Sequence, residues 1–246
     1  MGQGTKRYMG QTMPNFIAGE TVSQASGTKG KIASRAELEQ LVQDLIRVEP
    51  RFAMVVQTHG IPALRTADAS LETLLQIVTE QFLSLKAASA IWKRLVLQLS
   101  PFDPDHILRH DEDRLMALGL SRAKARSFRG LANAVKNGEL EFVSLSQLTS
   151  EEAHKTLCKL PGIGPWSAAI YCLGALADSD AWPAGDLALQ VAAQDLLQLP
   201  QRPNHKQMVE IAEIWRPHRA VAARLLWTHY RQVKGLAQAA DSPSQN

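Results

Sequence analysis

The stretch LPGIGPWSA, Leu160 to Ala168, packs two glycines and two prolines into nine residues and runs straight into an alanine-rich apolar segment. Pro161 disfavours an α conformation in the residue before it, so the helical pattern of SEEAHKTLCKL stops at Leu160. Pro165 stands where a missing N–H costs nothing, at the start of a second helix. Between them, Gly162 and Gly164 can take backbone angles closed to other residues and leave no side chain in the way. Their amides, with those at the start of the following helix, form a group able to hold a phosphate oxygen. Taken alone, the same motif also fits an ordinary helix–helix turn.

On both sides of this break the apolar spacing is helical. SRAELEQLVQDLIRVEP opens with Ser34, has Glu37 three positions on as in a capping box, and aligns Leu38, Leu41, Val42 and Leu45 on one face before Pro50. Further helical windows fall at 71–82, 85–99, 105–117, 122–137, 145–158, 166–177, 186–198, 205–215 and 218–234. Strand alternation and a repeat period are both missing, so the fold class is all-α. Residues 1–33, rich in Gly, Thr, Ser and Gln, read as a flexible tail, and 34–246 as the folded domain.

The 246 residues, 45% hydrophobic, suffice for a sizeable core. With 27 Lys+Arg against 24 Asp+Glu the net charge is +3, so attraction to a polyanion has to come from local clustering. SRAKARSFRGLANAVK is one such cluster: Arg122, Arg126, Arg129 and Lys136 fall on one helical face, a pattern that also describes an ordinary solvated face. Two cysteines, Cys158 and Cys172, are too few for a zinc ribbon or an iron–sulfur cluster and read as free thiols in a reducing compartment. The absence of a long apolar run and of a signal-like start points to an intracellular protein without a membrane partner. WPAGDLALQ places Asp186 as a good N-cap for the helix that follows.

LPGIGPWSA resembles the helix–hairpin–helix of the HhH-GPD superfamily of DNA glycosylases, and the resemblance extends from about residue 34 to 234. It implies a two-lobed helical fold with the site in the cleft between the lobes. The hairpin would grip DNA backbone phosphate at Gly162, Gly164 and Ser167, helped by Arg122 and Arg126. A structural Na+ or K+ would be held there by the main-chain carbonyls of Cys158, Leu160 and Ile163. The superfamily's second signature is a Gly/Pro-containing loop ending in an aspartate, and Asp186 occupies that place as the catalytic residue. Capping and catalysis are compatible, since the amide dipoles are expected to keep the carboxylate ionised.

Members that also cut the strand carry a lysine two residues after the second hairpin glycine; here that residue is Trp166, which implies hydrolysis by water alone. The four-cysteine cluster of the endonuclease-III-like branch is missing. LPGIGPW, WPAGDLAL and IWRPHRAVAARLLW are similar to the 3-methyladenine glycosylase II branch, nearer its compact yeast-MAG-like form than the AlkA type with an amino-terminal β-rich domain. That branch removes N-alkylated purines from double-stranded DNA, so the expectations are a monomer needing no redox cofactor and a pocket walled by Trp166, Trp227 and, more weakly, Tyr171. Ile170 stands where the branch has an aromatic. The base-flipping loop, TEQFLSLKAASAIW, has Glu80 where the family has a glutamine and offers Phe82, then Leu83, as the wedge left in the duplex. Phe82 and the tryptophans could equally be core packing. The rival functions are an oxidised- or deaminated-base glycosylase and an inactive DNA-binding module.

Overall fold

Ser34 caps the first helix as its sequence predicts: its side chain accepts from the Glu37 amide, and Glu37 reaches back to the cap. The computed structural model describes residues 30–235. Within them the helices are α1 (Arg35–Val48), α2 (Phe52–His59), α3 (Leu71–Glu80), α4 (Leu85–Leu99), α5 (Pro104–Leu108), α6 (Glu112–Ala117) and α7 (Arg122–Lys136). There follow α8 (Phe142–Gln147), α9 (Ser150–Leu157), α10 (Pro165–Gly174), α11 (Leu187–Leu196), α12 (His205–Ala212) and α13 (Arg219–Val233). Two of the predicted windows are each two short helices, broken before Asp111 and before Thr149, both of which cap the next helix with their side chains. α2 is an addition to the predicted set; it starts at Arg51 without a side-chain cap.

The packing divides the chain into two lobes. α1, α2, α11 and α13 form one, with Phe52 set edge-on to Trp215 and Trp215 edge-on to Trp182. α7 lies against α3, α5 and α6 in the other. α10 packs on both α9 and α3, so the hairpin is seated on the second lobe, while the loop after α10 leads back to α11 in the first. This connection carries Asp186 at the boundary.

Residues before Ser34 are packed as well. Ile32 is fully buried, its amide donates to Ala177 O at 2.7 Å, Ser179 N donates to Gly30 O at 2.9 Å, and Lys31 Nζ reaches Ser146 O at 2.9 Å. Residues 30–33 therefore belong to the fold, held by backbone pairing that no local periodicity announces. The rest of the predicted tail lies outside the described residues.

Candidate active site

Between α9 and α10 the chain turns within Cys158–Gly164, and Pro161, Gly162, Gly164 and Pro165 are all exposed. Gly162 has φ +80, and a Cβ on it would stand 2.1 Å from Ser127 Oγ. Gly130 answers from α7: a Cβ there would stand 2.5 Å from Pro161 Cγ. The hairpin is thus pressed onto α7 at two points that admit no side chain. The first intrahelical bond of α10 runs from Ala168 N to Gly164 O at 2.9 Å, which leaves the amides of Trp166 and Ser167 open at the helix start.

The Ser167 side chain is not part of that open face. It is buried and its hydroxyl accepts from Gln81 Nε2 at 2.8 Å; the same amide donates to Gly162 O at 3.0 Å. Ser167 can therefore meet a phosphate only through its backbone N–H. Of the three carbonyls assigned to a cation, Leu160 O already accepts from Ile163 N at 3.2 Å and keeps its second lone pair. As neutral oxygens, the donors at Cys158, Leu160 and Ile163 suit a hard, weakly charged ion.

Asp186 caps α11 by accepting from Leu189 N at 3.0 Å, and is only 1% exposed. Two tryptophans close over it: Trp166 Nε1 donates to Oδ2 at 2.9 Å and Trp227 Nε1 to Oδ1 at 3.3 Å. Burial pushes its carboxyl up to about 6, against the pull of these hydrogen bonds. Desolvation outweighs the cap's downward pull, but not far enough to protonate the group at neutral pH. The group remains an anion at neutral pH, held by three named donors in a dry setting. Trp166 and Trp227 come together on it, from α10 and α13. Trp227 is nearly buried and a carboxylate partner at once, so the core and pocket readings are not exclusive.

Tyr171 is not with them. It is fully buried, its hydroxyl turned to Ser70 O at 3.4 Å, and burial pushes its phenol far up. One position beyond Ile170, which is also fully buried, it faces the interior of the second lobe. A cavity of about 520 Å³ is lined by Trp166, Gly185, His154, Trp182 and His205 among others; Asp186, Trp227 and Tyr171 are not on its wall.

Phe82 is 81% exposed and has φ +57. Leu83, half-buried, donates its amide to Glu80 O at 3.3 Å, closing a tight turn after α3. A non-glycine residue in this region of φ costs on the order of 1–3 kcal/mol, and burial of the ring offers nothing in return. This phenylalanine is therefore not core packing. Residues that sequence reasoning missed surround it. Gln81 ties the turn to the hairpin, and Lys124 Nζ donates to Thr79 O and Gln81 O at 2.8 Å each.

The basic face of α7 is largely spent on the protein itself. Arg122 lies 3.8 Å from Glu112 and 3.7 Å from Asp113, Lys136 pairs with Asp105 at 2.6 Å, and Arg129 binds Leu108 O and His110 O. Arg122 is thus a partly neutralised charge, although its side chain stays exposed. Arg126 is exposed and has no ion-pair partner among the described residues.

The model of the HhH-GPD superfamily base excision DNA repair proteins matches residues 75–217, from α3 through the hairpin and Asp186. The chain belongs to this superfamily. Among its relatives, DNA-3-methyladenine glycosylase 1 of Schizosaccharomyces pombe is 31% identical over 160 residues, 63% of this chain and 70% of that protein. Alkylbase DNA glycosidase-like protein mag2 of the same organism is 27% identical over 164 residues, 65% of this chain and 77% of that protein. A solved structure of the S. pombe 3-methyladenine DNA glycosylase Mag1 in complex with abasic DNA superposes with a TM-score of 0.71 at 26% identity, covering 79% of this chain and 97% of that one. The all-α, two-lobed fold is that of this superfamily's glycosylases.

Proposed function

We propose that the protein is a monofunctional DNA glycosylase that hydrolyses the N-glycosidic bond of flipped-out alkylated purines, of the 3-methyladenine and 7-methylguanine type, in base excision repair. The observation that carries this reading is Asp186, a buried carboxylate fixed by two indole donors beside an open hairpin. As the C1′–N bond breaks, its electrons leave with the base and positive charge grows on the deoxyribose. An anion in a dry site lowers that barrier and orients the water whose oxygen bonds to C1′ while its proton is lost. An alkylated purine is already cationic and leaves without a general acid, so the site needs no acid in reach and no cofactor. The names of the relatives support the same substrate class.

The other site residues take their roles around this step. The open amides of the hairpin at Gly162, Gly164, Trp166 and Ser167 hold a DNA phosphate, with Arg126 close by in sequence to the α7 residues that buttress the hairpin. A Na+ or K+ on the carbonyls of Cys158, Leu160 and Ile163 would add positive charge there. Phe82 fills the gap in the duplex, and Leu83 supports its turn. The protein acts as a monomer on double-stranded DNA in this reading.

The test is base release from duplexes carrying 3-methyladenine, 7-methylguanine, ethenoadenine or hypoxanthine, with borohydride present. The expected result is release of the methylated purines, intact abasic strands and no trapped protein–DNA adduct. Preferential release of hypoxanthine, or an adduct formed as fast as the base leaves, would overturn the assignment.

A further inference from the structure

We propose that Lys124 is a positioning residue for base excision: it locks the turn bearing Phe82 in the shape that presents the ring, and joins that turn to the hairpin. This role rests on Phe82 being the wedge proposed above. Gln81 at φ −52, ψ 129 and Phe82 at φ +57 give the turn the angles of type II, whose third position favours glycine. Phe82 is a bulky residue in that position, and its exposed ring does nothing to keep it there.

The backbone oxygens supply the restraint. Thr79 O and Gln81 O both accept from Lys124 Nζ at 2.8 Å, and the oxygen between them, Glu80 O, accepts from Leu83 N at 3.3 Å. One ammonium thus holds the carbonyls on both sides of Glu80, at the negative end of α3. The Gln81 side chain leaves the turn in another direction and binds Gly162 O and Ser167 Oγ. The turn is therefore gripped by α7 through its main chain and by the hairpin through its side chain.

The placement of Lys124 in α7 is not explained by α7 itself. It lies in the first turn of α7, where a cation opposes the helix dipole, it is half-buried, and it forms no ion pair among the described residues. Burial lowers its ammonium to about 8 and raises the neighbouring Glu80 carboxyl to about 7, which marks both as groups held in place against a solvation cost.

The experiment is a double-mutant cycle on the whole protein. Lys124→Met and Phe82→Ala, singly and together, are compared in single-turnover base release from methylated duplex DNA at saturating enzyme, each rate normalised to the folded fraction from thermal melts. Each single change is expected to slow release by about tenfold, and the double variant to be no slower than Phe82→Ala alone. Lys124→Arg, which keeps the donors, should retain most of the rate, which a role in bulk packing would not predict. Losses that multiply in the double variant overturn the proposal, as does a wild-type rate for Lys124→Met beside a slow Phe82→Ala. A wild-type rate for Phe82→Ala overturns the wedge reading itself, and the role of Lys124 with it.

Discussion

Asp186 and Phe82 break opposite rules. One is a carboxylate that is 1% exposed, the other a phenylalanine that is 81% exposed at positive φ. A folding sequence free of other demands would exchange their environments: the acid would be solvated and the ring buried. Their supports differ accordingly. Asp186 is held by two indole donors and one backbone amide that converge on its own oxygens, whereas Phe82 is held only through the backbone around it. A reacting group needs its own atoms fixed; a wedge needs its ring free and its base fixed.

The comparison is broken most severely at Asp186. Asparagine caps a helix about as well as aspartate, so Asp186→Asn should keep the cap to Leu189 N and stay folded, at a cost of no more than about 1–3 kcal/mol for the indole N–H of Trp166 that loses its acceptor. Base release in single turnover should fall by about 10²–10³, or about 3–4 kcal/mol, as for the loss of one preorganised electrostatic group. A wild-type rate, corrected for spontaneous depurination, would reduce Asp186 to a cap.

Acid should act on the same group more gradually. The folded carboxyl titrates at about 6, above the ordinary 3.8. Catalysis needs the anion, so kcat/KM is expected to fall about tenfold per pH unit below about 6. Stability runs the other way: between those two values the folded state holds a proton that the unfolded chain does not, so this group favours folding as the pH drops through the window. A pH–rate profile and a pH–melting profile with opposite slopes there would identify the buried acid. A rate that stays flat down to pH 4 would exclude it.

The smallest effect sharpens the Phe82 side. Glycine adopts φ +57 without strain and alanine does not, so Phe82→Gly should be more stable than Phe82→Ala by about 1 kcal/mol. Both lack the ring, and their rates of base release should be equally reduced. Equal stabilities in denaturant titrations would mean that the turn relaxes once the ring is gone.

The parts of this molecule that could be read from the sequence are those carried by residue types at short spacing. The two prolines and two glycines of the hairpin, the Ser34–Glu37 cap and Asp186 ahead of α11 each declare themselves within a few residues. The break between α5 and α6 also had a local signal, the cap at Asp111, which the apolar periodicity masked. Other features depend on distant partners. The Ser167 side chain turns inward because Gln81, from another helix end, donates to it, and Arg122 and Arg129 of α7 meet the acids of α6 and the carbonyls of Leu108 and His110. A helical face shows which residues are basic but not which of them the protein has already used. Tyr171 failed for the same reason: periodicity places it on a helix without saying which side α3 covers.

The short segment before α1 acts as a brace. Gly30 and Ile32 pair with Ser179 and Ala177 in the loop that ends in Asp186, and that loop is also held by Ser150 on Asp178 and by Ala220 N on Ser179 O at 3.0 Å. The aim of the carboxylate therefore depends on a piece of chain about as far from it in sequence as the fold allows. Trimming the protein at Ser34, where its periodicity begins, would cut the brace, unpair Ala177 O and Ser179 N, and restore entropy to the one loop that has to stay still.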